Sequence, residues 1–170
     1  MTIPYEILEH TADLKIKAFG KNLPELFSNA LKGMFGEVKS QKSKVGQITN
    51  KAYEREVKSQ KLKVGQITNK AYEREVKSQK LKVERKVKIK SSDLESLLVD
   101  FLSEALYLSD INNEAYFEAK FDKFTKTELS GAIKGVKIKG FREEIKAVTY
   151  HGLKIEKVDG HWEAIVLFDI

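Results

Sequence analysis

The 170-residue chain has no cysteine, two prolines and one tryptophan. Without cysteine there is neither a disulfide framework nor a thiolate metal site. No apolar run approaches the roughly 20 residues of a membrane span, and the N-terminus lacks the apolar core of a secretory signal. The expectation is a cytoplasmic protein with no membrane partner. The glycines never form GxxxxGK or GxGxxG, and neither GxSxG nor HExxH occurs. Those absences remove the phosphate loop, the nucleophile elbow and the zinc-protease helix.

What is present begins with charge. The chain carries 31 Lys and Arg against 25 Asp and Glu, a formal +6. That excess has one source. Residues 38 to 56 read VKSQKSKVGQITNKAYERE and residues 57 to 75 repeat them with a single change, while a partial third copy, VKSQKLKV, covers 76 to 83. Each full copy holds five cations and two anions, so the two copies account for the whole +6. The other 132 residues hold 21 of each sign and are neutral. Solenoid repeats are normally diverged and need three or more stacked units for a core. Two near-identical copies with sparse apolar residues indicate an inserted tandem-repeat arm, 38–75, within a single domain spanning 1–170. The third copy continues as KLKVERKVKIK, with Leu81, Val83, Val87 and Ile89 in one parity, and reads as a strand of the body.

The rest is ordered by periodicity. Tyr5 to Glu9 and Leu14 to Phe19 read as short strands around an HTAD turn. Asn22 can cap a helix with Pro24 in its first turn. Leu23, Leu26, Phe27, Ala30, Leu31 and Met34 then fall at helical spacing, fading at Gly33 and Gly36. A second helix starts at a capping box, Ser92 to Glu95, with Leu94, Leu97, Leu98, Phe101, Leu102, Ala105 and Leu108 on its apolar face. Ala115–Phe124 and Leu129–Ile138 form a strand pair. The last 28 residues read as three short strands, with Ile145, Ala147 and Thr149, then Leu153 and Ile155, then Trp162, Ala164, Val166 and Phe168 alternating with polar residues. The fold class is α+β, a largely antiparallel sheet packed on two helices.

Few residues offer chemistry. Asp13 follows the first strand and Asp169 ends the last. With the terminal carboxylate of Ile170 they would make an all-oxygen set suited to Ca²⁺ or Mg²⁺. By spacing alone the favoured reading is Asp13 as a turn cap and Asp169 as a solvated strand end. His161 in the VDGHW turn reads as exposed.

The order HTAD, LPELF, DLESLLVDFL, KAVTYHGL and a closing FDI resembles the archease family over residues 5–35, 91–108 and 143–170. The resemblance implies an accessory protein without turnover of its own. It would act transiently on an RtcB-type RNA-splicing ligase, promoting guanylylation of the ligase histidine and repeated rounds of tRNA splicing. The tRNA is then met only through the ligase. It also implies that Asp13 and Asp169, completed by oxygens of Ile170, hold a divalent metal ion. His10, Lys146 and His151 match family motif positions with a supporting or ligase-contacting role. Lys146, out of phase with Ile145 and Ala147, should face away from their side of the sheet. Two departures stand out. Lys15 occupies a position where typical members have glycine, and the loop before KAVTYHGL is short, GVKIKGFRE. The alternative function is a basic RNA-binding module using the Lys-rich arm, with affinity falling steeply in salt. The neutral body speaks against it. A metal-dependent hydrolase lacks a motif for nucleophile or base.

Overall fold

The computed structural model describes residues 3–10, 12–37, 82–138 and 144–170. The repeat arm, 38–75, lies outside them. Among the described residues, seven strands and two helices run in the order β1 (Tyr5–Leu8), β2 (Leu14–Gly20), α1 (Leu23–Glu37), β3 (Lys82–Lys90), α2 (Leu94–Asn112), β4 (Glu114–Phe124), β5 (Glu128–Lys137), β6 (Ala147–Val158) and β7 (His161–Asp169). The class is α+β as expected, but the strands form two antiparallel sheets rather than one. The first has the order β1-β2-β7-β6 and the second β3-β5-β4.

Helix α1 starts where the sequence indicates. Asn22 Oδ1 accepts from Glu25 N at 2.9 Å, and Glu25 Oε2 accepts from Lys21 N at 2.9 Å. Orphan donors of the first turn are thereby satisfied. The helix does not fade at Gly33. It runs through both glycines to Glu37; a side chain at Gly33 would meet Ile16 and Tyr5, and one at Gly36 would meet the Tyr5 hydroxyl. Close approach, not helix termination, uses these glycines. Helix α2 is capped by Asp93 instead of Ser92. Asp93 Oδ1 accepts from Ser96 N at 2.7 Å, while the Ser92 hydroxyl donates to Asp93 Oδ2. An ionised carboxylate is the stronger acceptor at a helix N-terminus. Its partners there hold Asp93 below the usual carboxylate range, chiefly the Ser96 amide.

Both helices contact both sheets. α1 packs on β2 and β7 of the first and on β4 of the second, and α2 packs on β6 and on β3, β4 and β5. The core lies between them. Phe27 and Phe101 sit 5.9 Å apart there, with Phe124 edge-on to Phe27 at 4.9 Å. Ser28 of α1 reaches the edge of β4, where its hydroxyl accepts from Ala119 N at 2.9 Å.

The terminal block differs most from expectation. Its first two strands are one, β6, interrupted by a bulge. Thr149 pairs with Leu167 and Lys154 with Ile165, so β6 spends five steps where β7 spends two. The three extra residues are an odd number, and an odd insertion exchanges the faces of a strand. Before the bulge Val148 points into the core opposite Phe168. After it Leu153 and Ile155 do, with Ile155 opposite Ala164. Ala147 and Thr149 therefore lie on the outer face, against the single parity expected. Ile145, just ahead of the strand, is buried while Ala147 is exposed, so these two do not share a side. Gly152, at φ +64°, makes the turn of the bulge in open space.

Candidate functional site

Strand β7 has a core face of Ala164, Val166 and Phe168, all wholly buried. Its odd-numbered residues face outward, away from the helices. β2 behaves likewise, with Ile16 and Ala18 inward and Lys15 and Lys17 outward. Register then fixes rows across the outer face. Lys17 pairs with Ile165 and Lys15 with Leu167 there, while Leu14 pairs with Phe168 on the inner face as the last pair of the ladder. One step beyond that last pair stand Asp13 and Asp169, on neighbouring strand ends. Asp169 is paired on its other side with Ala147.

Three further contacts shape this end of the sheet. The Lys146 amide donates to the Asp169 carbonyl at 2.7 Å, and Lys146 Nζ donates to the Ile170 carbonyl at 3.2 Å. Lys146 thus fastens the end of β7. His10 Nδ1 lies 3.4 Å from Asp13 Oδ2, an ion pair when the imidazole is protonated. His151 is not brought to this end. It sits in the bulge beside Tyr150, both exposed, with Tyr150 58% accessible.

The rest of the outer face is internally paired. Lys17 Nζ lies 2.7 Å from Glu163 Oε2, and His161 Nε2 lies 3.1 Å from Glu163 Oε1. The Lys17 contact chiefly holds Glu163 below its ordinary range and raises Lys17 in turn. His161 is half-buried, with its ring centre 6.4 Å from that of Phe19, and is not the freely exposed turn residue expected. Lys154 pairs with Glu156 at 2.9 Å. Lys15 has no ion-pair partner among the described residues. On the same row, Thr149 Oγ1 is the buried side-chain polar atom without a hydrogen-bond partner.

Among the described residues no three His, Cys, Asp or Glu side chains gather to hold a metal ion. The candidate set is smaller: the Asp13 and Asp169 carboxylates and the Ile170 carbonyl. Ca²⁺ takes six to eight oxygens, whereas Mg²⁺ is held by about one or two carboxylates and keeps waters or phosphates on its other positions. The oxygens at the strand ends fit the second manner of binding. The sequence named Asp13, Asp169, Ile170 and Lys146, and the structure brings all four to one end of the sheet. Lys15 was noted only as a departure from the family pattern and Thr149 only as a strand residue, because only register and the bulge reveal that they share the outer face. Arg85 was missed too, although a charged residue at an inward parity position of β3 marks it.

Comparisons with known proteins agree with the fold. The profile of the archease protein family matches residues 5–65 and 64–170. The two segments meet inside the second repeat copy. The archease of Methanosarcina mazei is 32% identical over 174 residues, covering 98% of this chain and 95% of that protein. The archease of Pyrococcus abyssi is 32% identical over 174 residues, covering 98% of each. Among solved structures, the solution structure of protein 1598 of Methanobacterium thermoautotrophicum superposes with a TM-score of 0.61 at 25% identity, covering 99% of this chain and 100% of that one. An archease of Thermotoga maritima, described as a possible chaperone, superposes at 0.51 with 19% identity, covering 96% and 94%, and so shares the fold. With sequence matches along almost its whole length, this chain belongs to the archease family and is an accessory protein of the archease type.

Proposed function

We propose that the protein activates an RtcB-type RNA ligase, promoting guanylylation of the ligase and its repeated turnover in tRNA splicing, and that it does so without catalysis of its own. One observation carries the reading. The register Leu14–Phe168 sets Asp13 and Asp169 side by side at an exposed sheet end. Two carboxylates there, with the Ile170 oxygen, are suited to a divalent cation, Mg²⁺ by the number of oxygens. Such a cation would supply a bridge between carboxylate and phosphate. The chain's own side chains do the positioning. His10 lies beside Asp13, and Lys146 ties Ile170 to the start of β6. The exposed bulge of Tyr150 and His151 is a ligase-contacting element on the same sheet.

The test is a multiple-turnover ligation assay with purified ligase. Asp13→Asn and Asp169→Asn should each lose stimulation while circular dichroism stays native, because neither carboxylate is part of the core. Full stimulation by both variants rejects the reading. If stimulation instead survives both changes and disappears with residues 38–75, the Lys-rich arm is the active element, as in the RNA-binding alternative.

A further inference from the structure

The 132 residues outside the repeat copies are neutral in sum but not in distribution. The second sheet has its helices on one face only. On the other, β3 sends out Lys82, Glu84, Lys86, Lys88 and Lys90, all exposed, while Val87 in the opposite phase is buried in the core. Register fixes two rows across this outer face, Lys88–Ser130–Lys123 and Lys86–Ala132–Lys120. Glu84 and Glu118 flank Lys134 in the next row, and Lys90 stands beside Glu128 at the far end. Seven lysines thus face three glutamates, a net +4, and Asp122 of the β4 bulge cancels Lys126 of the hairpin. Taking these twelve residues from 21 cations and 21 anions leaves 13 and 17, so the rest of the 132 carries −4.

Each glutamate is engaged by one lysine: Glu84 by Lys134 at 3.3 Å, Glu118 by Lys120 at 3.4 Å and Glu128 by Lys123 at 2.7 Å. Lys86, Lys88 and Lys90 follow one another at about 7 Å along β3 and have no ion-pair partner among the described residues. Asp100 and Glu104 of α2 share a shallow pocket with Lys88 and Lys90 at the β3 edge, outside ion-pair distance. Chiefly the Lys123 contact holds the Glu128 carboxyl below its ordinary range, and Lys90 and Lys88 add to it.

Chemistry selects the partner. Only Ser130 and Ala132 separate the ammoniums within the two rows, and no aromatic ring stands in either. Phe121 and Phe124 are turned to the core, against Phe101 and Phe27. Protein interfaces rely on aromatic and arginine anchors and are depleted in lysine. Single-stranded nucleic acid is gripped by stacking its bases on aromatic rings. An open array of ammoniums without rings suits instead the phosphates of a double helix, whose bases are already stacked.

We propose that the outer face of the second sheet docks the phosphate backbone of double-helical RNA, with Lys86, Lys88 and Lys90 on one side and Lys120 and Lys123 about 10 Å away across β5. RNA is the polymer named because this docking deepens the proposed action beside an RNA ligase and rests on it. The face itself is separate from Asp13 and Asp169. RNA would then be met directly, and not only through the ligase.

Fluorescence anisotropy of a labelled RNA duplex, titrated with the full-length protein at several salt concentrations, tests it. The triple variant Lys86→Gln, Lys88→Gln, Lys90→Gln should weaken binding about tenfold at low salt. It should also flatten the slope of log affinity against log salt by about 2–3, near one per phosphate contact. The control triple Lys21→Gln, Lys32→Gln, Lys157→Gln removes the same charge from outside the face and should change the slope by less than about one. Both triples keep residues 38–75, so the Lys-rich arm is constant. Ser130→Glu sets a carboxylate between Lys88 and Lys123. It should weaken RNA binding without lowering the melting temperature, whereas Ser130→Gln should bind as the parent does. Unfolding would not give that pattern. Equal loss from both triples, or full RNA binding by Ser130→Glu, overturns the proposal. Unchanged RNA binding by the first triple with lost binding to purified ligase would make the face a protein-docking surface, which also overturns it. A DNA duplex bound more tightly than the RNA duplex overturns the choice of RNA. Ligase stimulation is measured separately. Stimulation that persists while the face binds no RNA rejects the docking alone, and RNA binding without stimulation rejects the proposed activation alone.

Discussion

Arg85 holds Glu114 with two hydrogen bonds, from Nε to Oε2 at 2.9 Å and from Nη2 to Oε1 at 2.6 Å. Glu114 is wholly buried, and the Tyr116 hydroxyl donates to its Oε2 at 2.7 Å. Arg85 sits on β3 at an inward position between Val83 and Val87, and it reaches over β5 to the start of β4. The Ser109 hydroxyl donates to the Glu114 carbonyl, so the same residue also ties α2 to β4. The arginine contact chiefly lowers the Glu114 carboxyl, while burial chiefly raises the Tyr116 hydroxyl. Glu114 is buried but the Arg85 side chain is 38% exposed, so removing Arg85 strands a buried carboxylate whose cation was partly solvated. Arg85→Met should therefore lower the melting temperature sharply. Adding Glu114→Gln should recover part of the loss, since the stranded group is then neutral. Equal melting of Arg85→Met and the parent would refute the arrangement.

The same pair sets an acid limit. Glu114 and Glu163 both have carboxyls held below their ordinary value of 4.5. A group depressed in the folded state contributes fully above its unfolded value and loses that contribution as pH falls through the folded one. Stability should be flat through neutrality and decline below roughly pH 4.5. In Glu114→Gln that decline should be shallower. Denaturant melts at several pH values measure it.

Thr149→Val should stabilise the protein. The Thr149 hydroxyl oxygen is buried and unpartnered, and valine replaces it with a methyl of similar shape. Relieving one unpaired hydroxyl is worth about 1 kcal/mol. That shifts the melting temperature upward by roughly 2–4 °C for a chain of this size. A fall in melting temperature would mean the hydroxyl has a partner in solution.

Gly152→Ala should weaken the bulge. The backbone there is left-handed at φ +64°, a conformation that costs an alanine about 1–2 kcal/mol. Nothing lies within 4 Å of the added methyl, so the effect is conformational and not steric. If the bulge presents Tyr150 and His151 to the ligase, stimulation should fall more than thermal stability does.

Deleting residues 38–75 should leave the fold intact. The deletion joins Glu37, the end of α1, to a copy that leads directly into β3 and recreates GEVKSQKLKV. Each doubling of a surface loop costs about 0.6 kcal/mol in closure entropy. The melting temperature should be unchanged or slightly raised. Salt-sensitive, nonspecific RNA binding should fall, because the whole +6 leaves with the copies. Loss of cooperative melting would show that the copies belong to the core.

The sequence by itself determined the elements and the family. Helical spacing from Leu23 to Met34 and from Leu94 to Leu108, and alternation in Trp162 to Phe168, are local patterns. They survive because each element has one face to bury. The order of motifs along the chain was likewise enough to point to the archeases. Only the tertiary structure decided what those elements do together. Local periodicity says that a strand has two faces, not which strand lies beside it, so the split into two sheets was not legible. Nor was the phase reversal in β6, because a three-residue bulge is visible only against the partner strand. That bulge moves Ala147 and Thr149 to the outer face. The placing of Asp13 and Asp169 at one end of the sheet, the outward position of Lys15 and the clasp of Arg85 on Glu114 are set by register between residues distant in sequence. Register is fixed by burying Ile16 against Val166 and Val148 against Phe168, which is a property of the packed core and of no single segment.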